Sequence, residues 1–309
     1  MFFQKVKVGP WEANYSPNHL QMSYQELLDL KSCLMRWRKH FPHSSILAEN
    51  VLGVPSAINR IDNVADTIGV RGIYEVEERP AGLGLTSSTN PDFLPRLMPI
   101  LKEQEVALDA PWSIYISDFR DGTSDDDVFA EHVGVRVFRG RVPSEVVRTR
   151  AWYVRAKRDE HLVAREFNHR SISSIENEGK KCYGVPLGLW RLIEKDFEPD
   201  FGQSFAVKPQ AGSRFEQVLL WRPGHGAGFA TKTKITNAIR EGKVHYLQPF
   251  HPPEKAAFLR NEYDLIRRAY FAWSPAANEY VSVGGVWMAT PTARVHGTSA
   301  AVSGILLTA

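Results

Sequence analysis

The sequence predicts a mixed α/β protein of the α+β kind, and three observations carry that reading. Residues 112–139 run strand, Gly-containing turn, helix, strand, a βαβ order that implies a parallel sheet. From Ser204 onward the chain is mainly apolar strand-like runs broken by Gly and Pro, with one or two helices. One good amphipathic helix, about 23–40, precedes both parts.

Taken in order, Ser23 is placed to cap that first helix, with Gln25 and Glu26 in its first turn and "HFPHSS" ending it. Residues 56–79 hold a helix or strand carrying Asp62. It leads through "TIGVRG" into a strand "IYEVEE". Alternation there puts Glu75 and Glu77 on one face and Tyr74, Val76 and Glu78 on the other. Residues 91–105 read as a helix after Asn90-Pro91. "WSIYISDF" is a strand, and Ser124 caps a helix "DDDVFAEHVG" whose three leading acids suit the helix dipole. "VRVFRG" is the next strand. "AWYVRAK" and "LVAREF" form a strand pair or edge elements, and "GVPLGLWRLIEKDF" is helical.

"SFAVKPQAGSRFEQVLLW" then reads strand, loop, strand. "TKITNAIREGK" is a helix, and "VHYLQPFHPP" is a strand stopped by prolines. "YDLIRRAYFAW" and "EYVSVGGVWMA" pair antiparallel. The apolar end "AAVSGILLTA" completes either a core or a homodimer contact.

Composition narrows the function classes. Apolar residues at 43% and charged residues at 24% describe an ordinary folded protein, not a disordered one. A net charge of +3 is too small an excess to imply a nucleic-acid partner. The one basic run, "KSCLMRWRKH", spaces Leu34, Met35 and Trp37 toward a core at helical period. Cys33 and Cys182 stand far apart, which argues against a disulfide framework and a cysteine zinc site and implies reduced cytosol. No apolar run is long enough for a membrane span, and "MFFQKVKVGPWE" lacks a signal-peptide core. The expectation is a soluble, cytoplasmic protein.

Three groups suit a nucleotide. Lys208 ends a strand before "PQAGSR", where a lysine meets phosphates as a point charge and Gly212 lets backbone N–H groups approach. In "YLQPF", backbone groups near Leu247 and Gln248 can face an adenine edge. Asp62, Glu75 and Glu77 are hard oxygen donors of the kind that hold Mg²⁺ against phosphates, and Arg60 can neutralise a transferring phosphoryl group. Each acid alone reads as a cap or a solvated face. Their joint order with Arg60 and the downstream elements favours a site.

"RID" (60–62), "EVE" (75–77) with "RPAG", "VKPQAGSR", "YLQPFHPP" and "VGGVWMA…ARVHG" (283–297) together resemble the circularly permuted ATP-grasp family. They are similar to the synthetase domain of glutathionylspermidine synthase, in which the metal-binding acids precede the lysine and hinge. The resemblance spans roughly 56–300 at the level of short motifs and their order. It implies ATP and Mg²⁺ as cofactors, with Asp62, Glu75 and Glu77 as metal ligands and Arg60 on the transferring phosphate. Lys208 and an upstream lysine, Lys181 rather than Lys180, would bind ATP phosphates. Gly212 would lie in the covering loop, Leu247 and Gln248 at the adenine, and Arg294 at the carboxylate or acyl-phosphate.

The implied layout is a helical segment 1–55, a metal-binding part 56–110, a pre-ATP-grasp α/β element with linker helices 111–200, and an ATP-binding subdomain 201–309. The implied activity is an ATP-dependent carboxylate–amine ligase taking a small-molecule or peptide carboxylate and an amine. Glu77 departs from the family's Asn at that position, keeping an oxygen ligand but adding negative charge. A Mg·ATP-binding module without ligase activity is the alternative, and a nucleic-acid-binding protein a more distant one.

Overall fold

The chain is seen in a computed structural model, which describes residues 4–8, 11–39, 52–54, 56–66, 69–78, 80, 82–109, 111–116, 125–139, 153–155, 191–209, 218–224, 229–244, 246–258, 261–291 and 302–308. In the first half these form β1 (Gln4–Val8), β2 (Trp11–Gln21), α1 (Tyr24–Lys39), β3 (Ile58–Ala65), β4 (Val70–Glu78), α2 (Leu83–Thr89) and α3 (Phe93–Leu108). The middle holds β5 (Ser113–Ile116), α4 (Asp125–Val133), β6 (Arg136–Arg139), β7 (Tyr153–Arg155) and β8 (Arg191–Leu192). Then come β9 (Phe205–Lys208), β10 (Leu219–Trp221), α5 (Lys232–Arg240), β11 (Tyr246–Pro249), β12 (Glu254–Phe258), β13 (Asn261–Ser274), β14 (Glu279–Thr290) and β15 (Val302–Leu307).

A large mixed sheet dominates, in the order β1-β2-β15-β14-β13-β3-β4, with β12 also on β13. Only β15 and β2 run parallel; the other neighbours are antiparallel. Strand β13 is long enough to serve two partners on one edge, β12 along Asn261–Leu265 and β3 along Arg267–Ala272. Both faces of the sheet are covered, so its central strands are buried throughout rather than alternating. On one face, Leu30 and Leu34 of α1 pack on Ile61, Val76, Ala269 and Phe271. On the other, Phe93, Leu97 and Leu101 of α3 pack on Ile58, Tyr270 and Ala272. Gln104 of α3 anchors that layer: its amide donates to the carbonyls of Ala57 and Trp273, and its oxygen accepts from the Trp112 indole.

A small antiparallel sheet, β10-β9-β11-β8, carries α5, and a three-stranded parallel sheet, β6-β5-β7, carries α4. The expected βαβ unit and the antiparallel β13–β14 pair are both present. Ser23 caps α1, its hydroxyl accepting from the Glu26 amide at 3.0 Å. "AAVSGILLTA" supplies β15, an interior strand between β14 and β2.

Four features differ from the expectation. The described part of "GVPLGLWRLIEKDF" is strand β8 and a turn, not a helix. Arg191 and Leu192 pair with Leu247 and Tyr246, and that ladder overrides weak local helix propensity. The strand pair β1–β2 replaces part of the helical segment expected over 1–55; the alternation in "KVKV" spans only four residues, too short a signal to read as a strand. Helix α2, "LGLTSST", is built from poor helix formers. It is capped from outside: the Asp125 carboxylate of α4 accepts from the Gly82 and Leu85 amides at 2.7 and 2.8 Å. Asp125 therefore serves the N-terminus of a neighbouring helix. Finally, β4 carries a bulge. Asp62 pairs with Glu75 and Asn63 with Ile73, so Tyr74 is an extra residue and leaves the face that alternation assigned it. "LVAREF" and "TARVHG" lie outside the described residues.

Among the described residues no helix is long and apolar enough to cross a membrane. In the basic run, Leu34 is buried, Met35 packs on the α1 core, and Arg38 stacks on Trp273 at 4.1 Å while donating to the Gly53 carbonyl.

Under α1, the fully buried Glu26 accepts from Arg267 Nη1 at 2.7 Å, but among the described residues its second oxygen has no hydrogen-bond partner. Burial raises its pKa to about 7, with Arg267 pulling the other way. The native state therefore holds a proton that the unfolded chain releases above the ordinary carboxyl range. Stability is greatest below about pH 4.5 as far as this group is concerned, and falls as pH rises to about 7, by up to roughly 3 kcal/mol. Urea unfolding at pH 5, 6, 7 and 8 should show this decline, and Glu26→Gln should flatten it; an unchanged slope in the variant would exclude the assignment.

Candidate functional site

Strand β3 has no polar edge of its own; all eight of its residues are buried. Arg60 and Asp62 lie two apart and so share the face that holds Ile58 and α3. Register sets their neighbours: Glu77 and Tyr270 stand opposite Arg60, and Glu75 and Arg268 opposite Asp62. Three adjacent strands thus bring Arg60, Arg268, Asp62 and Glu77 to one patch, with the Glu75 backbone in register opposite Asp62. The Glu75 side chain is outside the described residues.

The described members are locked together. Arg60 donates to both oxygens of Asp62, from Nε at 2.7 Å and Nη2 at 3.2 Å. Its Nη1 lies 2.7 Å from Glu77 Oε2. Arg268 Nε lies 3.4 Å from Asp62 Oδ2. Asp62 and Arg60 are almost wholly buried, and Glu77 keeps about a quarter of its side chain exposed. Tyr270 is fully buried beside them; burial raises its pKa, with Arg60 and Arg268 opposing.

The small sheet meets this patch along β4. Lys208, at the end of β9, donates to the Tyr74 carbonyl at 2.9 Å, and the buried Gln248 side chain donates to the Ile73 carbonyl at 2.6 Å. The bulged Tyr74 ring stacks near-parallel on Phe250, 5.9 Å between centroids, and its hydroxyl donates to the His251 carbonyl. His251 sits against Gly72, where a Cβ would come within 2.6 Å of its ring. Burial lowers the His251 pKa, so it is neutral at pH 7.

Arg60, Asp62, Glu77, Lys208 and Gln248 are therefore gathered on or beside β4. Leu247 sits within the small sheet, paired on both sides with Val207 and Arg191. The Gln248 amide nitrogen is engaged in joining the two sheets. Lys181, Gly212 and Arg294 lie outside the described residues. Arg268 is the residue that sequence reasoning missed; its only signal is a second arginine beside Arg267 in an otherwise apolar strand.

Asp62 and Glu77 have the donor chemistry that suits Mg²⁺. Arg60 already occupies both Asp62 oxygens and one of Glu77. Among the described residues no group of three metal-ligating side chains is assembled. A cavity of about 410 Å³ opens elsewhere, between Pro17–Leu20, Ala256, Leu265 and Trp287, and borders none of these residues. No protein-family model and no curated protein matches the chain.

The ion pairs separate two roles. Asp62→Asn leaves the buried Arg60 and Arg268 undercompensated and should cost about 3–5 kcal/mol. Glu77→Gln, at a partly exposed carboxylate, should cost about 1 kcal/mol or less. Chemical denaturation of both variants measures the difference; equal losses would place Glu77 in the structural network as firmly as Asp62.

Proposed function

We propose that the chain is an ATP-dependent carboxylate–amine ligase with a circularly permuted ATP-grasp arrangement, working in the cytoplasm. The observation that carries this reading is the convergence at β4. A strand-end lysine and a hinge strand from the small sheet lie next to the carboxylate–arginine patch of the large one. A nucleotide held between the sheets would have its phosphates near Lys208 and its base near the β11 backbone.

In this reading the substrate carboxylate attacks the γ-phosphorus, and ADP leaves. An amine then attacks the resulting acyl-phosphate, releasing phosphate and forming an amide. Mg²⁺, when bound, supplies positive charge to the phosphate oxygens. Lys208 orients the phosphates as a point charge, and Glu77 and Asp62 are the described carboxylates that would hold the metal. The bulge at Tyr74 directs its ring to Phe250 on the small-sheet side. Glu75, Lys181, Gly212 and Arg294 keep the roles that the resemblance implies.

A second reading has its own support. Arg60 already pairs with both Asp62 and Glu77, which suits a Mg·ATP-binding module without turnover.

The test is the melting temperature with Mg·ATP against ATP plus chelator, followed by ADP release with panels of carboxylates and amines. Saturating Mg·ATP should stabilise the wild type by roughly 2.7 kcal/mol at a hundredfold excess over Kd. Glu77→Gln should lose most of that shift while remaining folded. Stabilisation with substrate-dependent ADP release supports the ligase, and stabilisation alone supports the module. No shift at millimolar ATP removes both.

A further inference from the structure

We propose that Arg268 is an oxyanion seat: its guanidinium takes a phosphoryl or carboxylate group of the ligand on the β3–β4–β13 face. Three arginines are buried on the central strands, and two are hydrogen-bonded to an acid. Arg60 grips Asp62 and Glu77, and Arg267 grips Glu26 at 2.7 Å. Arg268 is equally buried, at 8% exposure, yet among the described residues it makes no hydrogen bond. Its Nε is sealed from solvent with no hydrogen-bond partner. Its one ion pair, 3.4 Å to Asp62 Oδ2, is longer than a charge-assisted hydrogen bond.

Asp62 is drawn toward Arg60, whose fork donates to both of its oxygens at 2.7 and 3.2 Å, and its Oδ2 stays 3.4 Å from Arg268 Nε. On the other side, the residue opposite Arg268 on β14 is Val286, which offers no side-chain acceptor. Burying a guanidinium this way is costly unless an acceptor completes it. The missing acceptor must be anionic or strongly polar and planar or tetrahedral, to match the fork.

The backbone beneath is held firmly. A Cβ on Gly285 would lie 1.9 Å from the Arg268 carbonyl oxygen, so β14 meets β13 there at a distance only glycine permits. The Asn90 side chain clamps the same point, donating to the Gly285 carbonyl at 2.9 Å. The seat is thus presented from a rigid strand, as a preorganised anion site requires.

Which anion sits there rests on the nucleotide reading; that an oxyanion sits there does not. Arg268→Met and Arg268→Lys are compared with wild type by calorimetric titration and thermal shift, with Mg·ATP, Mg·ADP, inorganic phosphate and glutamate as probes. Because Asp62 keeps Arg60, both variants should fold cooperatively without ligand, and each is compared with its own ligand-free melting temperature. The probe that binds through Arg268 should weaken roughly 10- to 100-fold in Arg268→Met, and less in Arg268→Lys.

Weakened Mg·ATP with unchanged Mg·ADP places the terminal phosphoryl group on the seat. Weakened glutamate with unchanged nucleotides places the substrate carboxylate there. Phosphate or glutamate binding through Arg268 without any nucleotide binding upholds the seat and removes the ligase reading. Unchanged affinities in both variants overturn the seat, as does a wild type that binds none of the four probes.

Discussion

Compensation of buried arginine charge is the constraint around which the large sheet is organised. Arg267 and Arg268 are consecutive on β13, the strand that reaches β12, β3 and β14. Consecutive strand residues point to opposite faces. One guanidinium therefore faces α1 and the other faces α3 and the acid patch. Each must be met by an acid that another element delivers. Glu26 comes from the first turn of α1, and Asp62 from β3. These pairs tie the helix layer and the neighbouring strand to one register of the sheet. A slip of one residue in β3 would carry Asp62 to the face of α1 and leave Arg60 among its hydrocarbon.

The two faces solve the same problem differently. Under α1 the pair is incomplete: among the described residues a Glu26 oxygen and both polar atoms of the Asn63 side chain have no hydrogen-bond partner. Glu26 stays partly protonated near neutrality as a result. On the other face Arg60 is the best-satisfied charge, bridging Asp62 and Glu77. Polar clusters of this kind cost stability compared with an apolar core. Their concentration where the two sheets meet, beside Lys208, is the physical reason for locating function there rather than at the apolar cavity near Trp287.

The helix layer shows how weak local signals are rescued. Helix α2 is rich in Gly, Ser and Thr and would not persist alone. The Asp125 carboxylate satisfies two of its N-terminal amides, and Asn90 at its other end clamps Gly285 of β14. Gly284, at φ 91°, adopts a backbone conformation open to glycine at the same irregularity in the β13–β14 ladder. The helix, the glycine pair and the position of Arg268 are therefore parts of one arrangement.

Sequence alone was sufficient wherever a local period or cap decides the outcome. The α1 boundaries follow from Ser23 and the spacing of Leu30 and Leu34, the βαβ unit from its turn and helix, and β13–β14 from their apolar runs. The acids and Arg60 were also visible as a pattern with a shared face. Tertiary structure alone decided what those charges do. That Arg60 holds Asp62 and Glu77, that Arg268 comes beside them, and that Lys208 reaches β4 depend on pairings between residues 134 and 206 positions apart or on strand register. The bulge at Tyr74, the hairpin β1–β2 and strand β8 were hidden for the same reason. Strand β8 and the placement of β2 depend on partner strands distant in sequence, and the bulged Tyr74 is held by Phe250 and His251, which no local preference of its own residues announces.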